Sequence, residues 1–295
     1  MDVKQVLAIK AELGEHPVWR AEDRSLYWLD IEAAKFNRFD PGSGENTSWD
    51  LPDKPGCFAF GHDGTALVAL RDGLYRLVLP AGSMTRAIAA AHPAHLRFND
   101  GKTDRQGRLW IGTSRVDNDV RRTDENAYYR YDGHRLDKML TDVGVTNGTA
   151  FSGDGRTLYR AQTETRQIWS YDYDPASGTP SRQRLFATIS DEFGLPDGAT
   201  VDTDGGYWVA MATPPDGGRA GIARFTPDGR MDFFVDMPVP LTTMPTFGGP
   251  DLSTLYITTA RLEAFMPYET PEIAGSIFAI ETGFTGVVET PLRAG

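Results

Sequence analysis

"FNDGKTDRQGRLWIGT", residues 98–113, opens on polar and flexible residues, turns at Gln106-Gly107 and finishes in an apolar run. Asn99 and Asp100 are among the residues least suited to a strand, whereas Leu109-Trp110-Ile111 suits one well. The same order recurs along the chain: a polar or Gly-rich opening, a short apolar stretch, a tight turn, then an aromatic-rich strand. The other copies are "GEHPVWRAEDRSLYWLD", "GCFAFGHDGTALVAL", "TNGTAFSGDGRTLYRA", "PDGATVDTDGGYWVAM" and "PTFGGPDLSTLYITTA". Each reads as a β-hairpin. Several are followed by a further strand pair, ending in stretches such as "KFNRFDPGSG", "LYRLVLPAG" and "IWSYDYDPASG", which makes about four strands per repeat.

One opening position from each copy gives Glu15, Cys57, Asn99, Asn147, Asp197 and Thr246, spaced by 42, 42, 48, 50 and 49 residues. Four-stranded repeats of this length are the signature of a β-propeller, whose blades pack radially around a channel. The expected fold is therefore all-β, a six-bladed β-propeller with four-stranded blades, forming a single domain over residues 1–295. A β-sandwich, or two small β domains, leaves the single period unexplained. Closing the ring requires one chain end to complete a blade begun by the other, and "VKQVLAIKAEL" at residues 3–13 is the strand expected to pair near "GSIFAIE".

Composition agrees with a turn-rich globule: 31 Gly and 19 Pro among 295 residues, with 40% hydrophobic and 24% charged. A net charge of −11 disfavours nucleic acid and anionic membrane surfaces and is compatible with cation binding. Cys57 is the single cysteine, so no internal disulfide forms, and "MDVKQVLAIKAELGEHP" lacks the pattern of an export signal. No stretch approaches the roughly 18 apolar residues of a membrane helix. These features predict a cytoplasmic protein, a monomer or weak homo-oligomer, with a small molecule as its partner.

In a propeller the innermost strand of each blade runs along the channel, so its opening residues lie near one mouth and equivalent positions converge. Asn99 can thus reach the same point as Glu15, Asn147 and Asp197. Two carboxylates and two amides, without imidazole or thiolate, form an oxygen-donor set. Such a set suits a hard divalent cation (Ca²⁺, Mg²⁺ or Mn²⁺) better than Zn²⁺.

The whole chain resembles the family of senescence marker protein, gluconolactonases and luciferin-regenerating enzyme. The resemblance is carried by "LGEHPVW", "RFNDGKTDRQGRLWIGT", "TNGTAFSGDGRTLY", "PDGATVDTDGGYWVA" and "FGGPDLSTLYITTA", spread from residue 13 to 260. It implies a six-bladed propeller with one divalent metal ion in the channel, whether Ca, Mg, Mn, Zn or Fe, held by Glu15, Asn147 and Asp197. It further implies substrate contacts from Arg97 and Asn99, with Asp117 as an additional acidic contact. The implied activity is hydrolysis of sugar-acid lactones such as glucono- or pentonolactones. There the metal polarises the carbonyl, and Asp197 doubles as general base, since no His occupies a convergent position. "RVDNDVRRTDEN", residues 115–126, is the expected lid. Two departures concern the substrate pocket: Ser114 stands where relatives often carry Met, and "RAQTET" from Arg160 stands where an acidic residue commonly ends the strand.

Several residues have plainer readings. His92 and His95 in "AHPAH" fit a surface loop better than a metal pair, Cys57 fits packing better than nucleophilic work, and Asp100 fits binding of backbone amides. Asn46 and Asn147 head formal glycosylation sequons, which without an export signal are accidental. Two other function classes share the scaffold: a metal-dependent esterase or phosphotriesterase, and a non-enzymatic calcium-binding propeller.

Overall fold

The computed structural model describes residues 2–117, 122–214, 217–261 and 270–293. Its twenty-four strands form six antiparallel four-stranded sheets, and the only helical turn among the described residues is the 3-10 turn Thr163–Thr165. The inner strands of blades one to six are Gly14–Arg20, Pro55–Phe60, Leu96–Thr103, Thr146–Phe151, Leu195–Val201 and Thr242–Gly248. They face one another in sequence around a ring, with blade six against blade one. The six-bladed, four-stranded propeller expected from the repeat is thus the fold observed. Among the described residues no helix is long and apolar enough to cross a membrane.

The repeat has a local physical cause. In blade three, Asp104 accepts the N–H groups of Gln106 (2.9 Å) and Arg108 (3.0 Å) through Oδ1, which folds the turn into which Gly107 fits at φ 75°. Its Oδ2 takes the Tyr173 hydroxyl (2.6 Å), which in turn accepts from Trp110 Nε1 (2.8 Å). Blade five repeats the device: Asp202 takes the Gly206 N–H (2.7 Å), Trp208 Nε1 (2.7 Å) and Arg224 Nε (2.7 Å). An aspartate that starts a hairpin and a tryptophan that follows it therefore recur together because one bonds the turn and the other fills the blade.

Six apolar clusters hold the ring, one at each interface between neighbouring blades. Trp28, Trp110 and Trp208 are fully buried in them. The outermost strands, such as Ser83–Ala89 and Thr179–Thr188, are mostly exposed. Blade six closes as the sequence predicts: Lys4–Leu7 pairs antiparallel with Ile277–Glu281, Lys4 opposite Ala279 and Leu7 opposite Ile277.

The inner strands run from the mouth where their polar residues sit to a far mouth, which the segment 285–293 crosses. Thr203 N–H donates to Thr285 O (2.8 Å), Gly286 N–H to Leu252 O (2.8 Å), Thr103 Oγ1 to Thr290 O (2.6 Å) and Leu292 N–H to Phe60 O (2.7 Å). These contacts join blades five, six, three and two. Beneath the segment, Lys102 and Glu289 form an ion pair (2.5 Å) with only 8% and 19% of their side chains exposed.

Candidate active site

Every inner strand breaks its ladder near its opening. Register shifts fall between Glu15 and Val18, Pro55 and Phe58, Phe98 and Gly101, Asn147 and Ala150, Pro196 and Ala199, and Thr242 and Met244. A β-bulge frees residues from pairing and re-aims their side chains. Asn99, Asp100 and Asp197 lie inside such bulges, and Glu15 and Asn147 start theirs; His16 and Gly148 take left-handed φ values of 49° and 58° within them. The Asn99-Asp100 pair thus sits in a break of the ladder, after Leu96, Arg97 and Phe98 have paired and before pairing resumes at Gly101.

The bulges bring Glu15, Arg97, Asn99, Asp100, Asn147 and Asp197 to the lining of one cavity of about 160 Å³, completed by Gly56, Ser114 and apolar side chains. Five of the expected site residues are gathered here. Asp117 is not among the lining residues; its carboxylate is 54% exposed and bonds Arg115 through both oxygens, at 2.8 and 2.7 Å. Of the expected lid, residues 118–121 lie outside the described residues. Thr246, expected as the sixth opening position, sits in regular ladder opposite Tyr256, and the blade-six bulge falls at Thr243 instead. Blade six offers no polar-Gly pair to mark its opening, so alignment on "PTFGG" slips by three residues.

The carboxyl groups are set deep enough that burial dominates their titration. Burial pushes Glu15 well above the usual carboxylate range, and the nearby charge of Asp197 adds to it, against the His16 N–H and Arg97. Asp197 is pushed up to about 8 by burial first and then by Asp100, with Arg97 opposing. Asp100 rises to about 6 through burial, moderated by the Thr149 N–H that its Oδ2 accepts at 2.7 Å. That bond bears out the backbone-amide reading of Asp100. Burial also draws the Arg97 guanidinium below its ordinary value, although Glu32, Glu15 and Asp197 favour its charge.

The amides are ordered by the same network. Asn99 Nδ2 donates to Thr146 O (2.7 Å) and Asn147 Oδ1 (3.0 Å), while Asn147 Nδ2 donates to Thr163 Oγ1 (2.8 Å). Glu15 Oε2 accepts the His16 N–H (2.8 Å). Among the described residues no three or more His, Cys, Asp or Glu side chains are placed so that they alone could hold a metal ion. Glu15, Asp197 and Asn147 line the same cavity, and two mutually repelling carboxylates with an amide are, by their chemistry, an oxygen-donor set of the kind hard cations take.

The plainer readings also stand. Cys57 is fully buried with its thiol pushed well up, first by burial and then by Asp100. The His92 ring packs edge-on against Phe98, and His95 pairs with Glu125 (2.6 Å). Arg160 is buried, bonds Tyr171 Oη (3.0 Å) and Val143 O (2.8 Å) and does not line the cavity, whereas Thr163 of the same stretch bonds Asn147 Nδ2 (2.8 Å) and Ser114 lines the cavity. Thr163 and Glu164, which hold the opening of the Asn147 strand, lie within "RAQTET", the stretch expected to bear on the pocket, but the sequence assigns neither a role because they lie in a turn outside the inner-strand motif. Their signal was the polarity of "QTET" directly after a buried strand.

A family profile described as SMP-30/Gluconolactonase/LRE-like region matches residues 13–261. The chain is 37% identical to 6-deoxy-6-sulfogluconolactonase of Pseudomonas putida, covering 99% of both chains. It is 32% identical to pentonolactonase XacC of Haloferax volcanii, covering 97% of this chain and 96% of that one. Among solved structures, a luciferin-regenerating enzyme superposes with a TM-score of 0.90 at 24% identity, covering 99% of each chain. The calcium-binding protein regucalcin from Agrobacterium tumefaciens gives 0.88 at 25% identity, covering 98% and 96%. With the profile spanning residues 13–261 and relatives above 30% identity matched over nearly the whole chain, the chain belongs to the SMP-30/gluconolactonase/LRE-like family.

Proposed function

We propose that the chain opens sugar-acid lactones to the free acids at the Glu15–Asn147–Asp197 pocket, with one divalent metal ion as cofactor. The observation that carries this reading is the convergence of Glu15, Arg97, Asn99, Asn147 and Asp197, from four different blades, on one small cavity. The names of the two lactonase relatives, matched over nearly the whole chain, support it. At about 160 Å³ the cavity is below the range of roughly 300–1,000 Å³ usual for drug-sized ligands, which favours a single sugar ring.

Glu15, Asn147 and Asp197 would hold the cation, and the all-oxygen set together with the calcium-binding relative favours a hard ion such as Ca²⁺. Bound there, the ion supplies Lewis acidity toward the lactone carbonyl. The remaining work falls to the side chains. Water attacks the carbonyl carbon, its proton passes to the Asp197 carboxylate, the ring C–O bond breaks, and that proton returns to the departing ring oxygen as the new hydroxyl. Buried Arg97 donates to a substrate oxygen. Asn99 has committed its NH₂ to blade four, so its Oδ1 is the end that accepts a sugar hydroxyl.

The test is acid release from glucono-, arabinono-, xylono- and 6-deoxy-6-sulfogluconolactone, with butyrolactone and an aryl ester alongside, using chelated protein resupplied with each divalent metal. Hydrolysis of aldonolactones restored by metal supports the reading. Preference for the aryl ester, or full rate in chelated protein, overturns it.

A further inference from the structure

Thr163 begins the 3-10 turn that follows the second strand of blade four, and its hydroxyl stands between two site residues. It donates to Pro196 O at 2.9 Å and accepts from Asn147 Nδ2 at 2.8 Å. A hydroxyl has one proton to give, and a carbonyl can only accept. With that proton spent on Pro196, Thr163 meets Asn147 as an acceptor. The carboxamide must then present its NH₂ to Thr163 and turn Oδ1 the other way, where Asn99 Nδ2 lies 3.0 Å off. The NH₂ of Asn99 is oriented in turn by Thr146 O at 2.7 Å. Two main-chain carbonyls thus fix the direction of the whole series.

We propose that Thr163 is a positioning residue. It sets which end of the Asn147 carboxamide faces the pocket, and it ties that amide to blade five one residue before Asp197. The inference rests on the reading of Glu15, Asn147 and Asp197 as the metal site. It also accounts for an amide at 147: a carboxylate there would set a second oxygen against Thr163 Oγ1 and compete for the proton held by Pro196. The turn grips the same strand opening a second time, since Glu164 Oε2 accepts the Val145 N–H at 3.0 Å.

The experiment measures Mn²⁺ and Ca²⁺ binding by equilibrium dialysis of cation-free protein, with lactonase kinetics and thermal melting alongside. Thr163→Val keeps the shape and removes the hydroxyl; it should weaken binding about 10- to 100-fold, as loss of a group that orients a metal ligand does. The added metal should restore kcat more than it changes KM. Thr163→Ser should recover most of the affinity, and Thr163→Ala should behave as Val does. In an Asn147→Ala background, Thr163→Val should cause no further loss, because the hydroxyl acts through the amide. Wild-type affinity in Thr163→Val, or an equal loss with and without Asn147, overturns the role of Thr163 while Glu15→Gln and Asp197→Asn still weaken binding. Unchanged binding in those two variants overturns the site reading itself.

Discussion

Replacing Glu289 with Gln would strand the ammonium of Lys102 in the lower channel. The two side chains are 8% and 19% exposed and lie 2.5 Å apart. Two other titratable groups feel Lys102 and neither replaces the pair: the Asp100 carboxylate is engaged by the Thr149 N–H (2.7 Å), and buried His16 bonds Phe58 O through Nε2 at 2.8 Å, with burial followed by the Lys102 charge holding its pKa down at about 3. Breaking a buried pair by removing one partner costs about 3–5 kcal/mol, because the other charge stays desolvated. Glu289 retains some exposure and its segment can shift to admit water, which places the expected loss near the lower end, about 3 kcal/mol. At about 2 °C per kcal/mol for a chain of this size, melting should fall by about 6 °C. Urea unfolding followed by tryptophan fluorescence, with calorimetry beside it, reads this directly. The double variant Lys102→Met, Glu289→Leu removes both charges and should return to within about 1 kcal/mol of the parent. If Glu289→Gln melts with the parent, the pair is not holding a buried charge and the reasoning fails.

Asp197→Asn should abolish most lactonase activity and weaken metal binding while the protein stays folded, which melting with and without metal will show. The raised Asp197 carboxyl binds its proton more tightly in the fold than in the unfolded chain, so the cation-free protein should lose stability as pH climbs from 3.8 toward about 8. Asp197→Asn should flatten that slope in a pH series of thermal melts; an unchanged slope would refute the shift. Asn99→Ala should raise KM more than it weakens metal binding, as steady-state kinetics and dialysis together can establish. Deleting residues 1–10 should lower the unfolding midpoint, since it removes strand Lys4–Leu7 and the Gln5 Nε2–Ser276 Oγ bond (2.8 Å); a truncated chain that melts like the whole one would refute closure by this strand. Lactones lacking a ring hydroxyl should lose about tenfold or more in kcat/KM per missing partner, given roughly 1–3 kcal/mol for a buried polar group left unpaired, and equal rates on butyrolactone and gluconolactone would count against the assigned pocket.

The blade count was legible because each hairpin repeats one local solution, an aspartate or Gly-rich turn followed by a strand of filling aromatic or aliphatic side chains, as at Asp104–Trp110 and Asp202–Trp208. Glu15, Asn99, Asn147 and Asp197 were legible for the opposite reason: they violate strand preference, and only a bulge facing the channel reconciles them with their neighbours. Blade six was misaligned at Thr246 because threonine suits both ladder and bulge, so nothing in the local sequence separates Thr243 from it. The segment 285–293 could not be read, since it bonds four blades mostly through its own main chain, which imposes no periodic pattern on "TGVVETPLR". Thr163 escaped because its importance lies in the direction of one proton.

The pairing of Lys4–Leu7 with Ile277–Glu281 also has a consequence in time. During synthesis the first strand emerges while its partner, more than 260 residues downstream, has not been made. At about 5–20 residues per second, the interval is about 15–50 s. Throughout it, Val6, Leu7 and Ile9 have only the blade-one half of their cluster, around Trp19, Trp28 and Phe39, and lack Tyr256, Ile277 and Ala279. Blades one to five can assemble in order as they appear, but the ring cannot lock until the last strand arrives and the oldest part of the chain is recaptured. The short length and two charged or amide residues of "KQVL" suit a segment that must wait so long without pairing elsewhere.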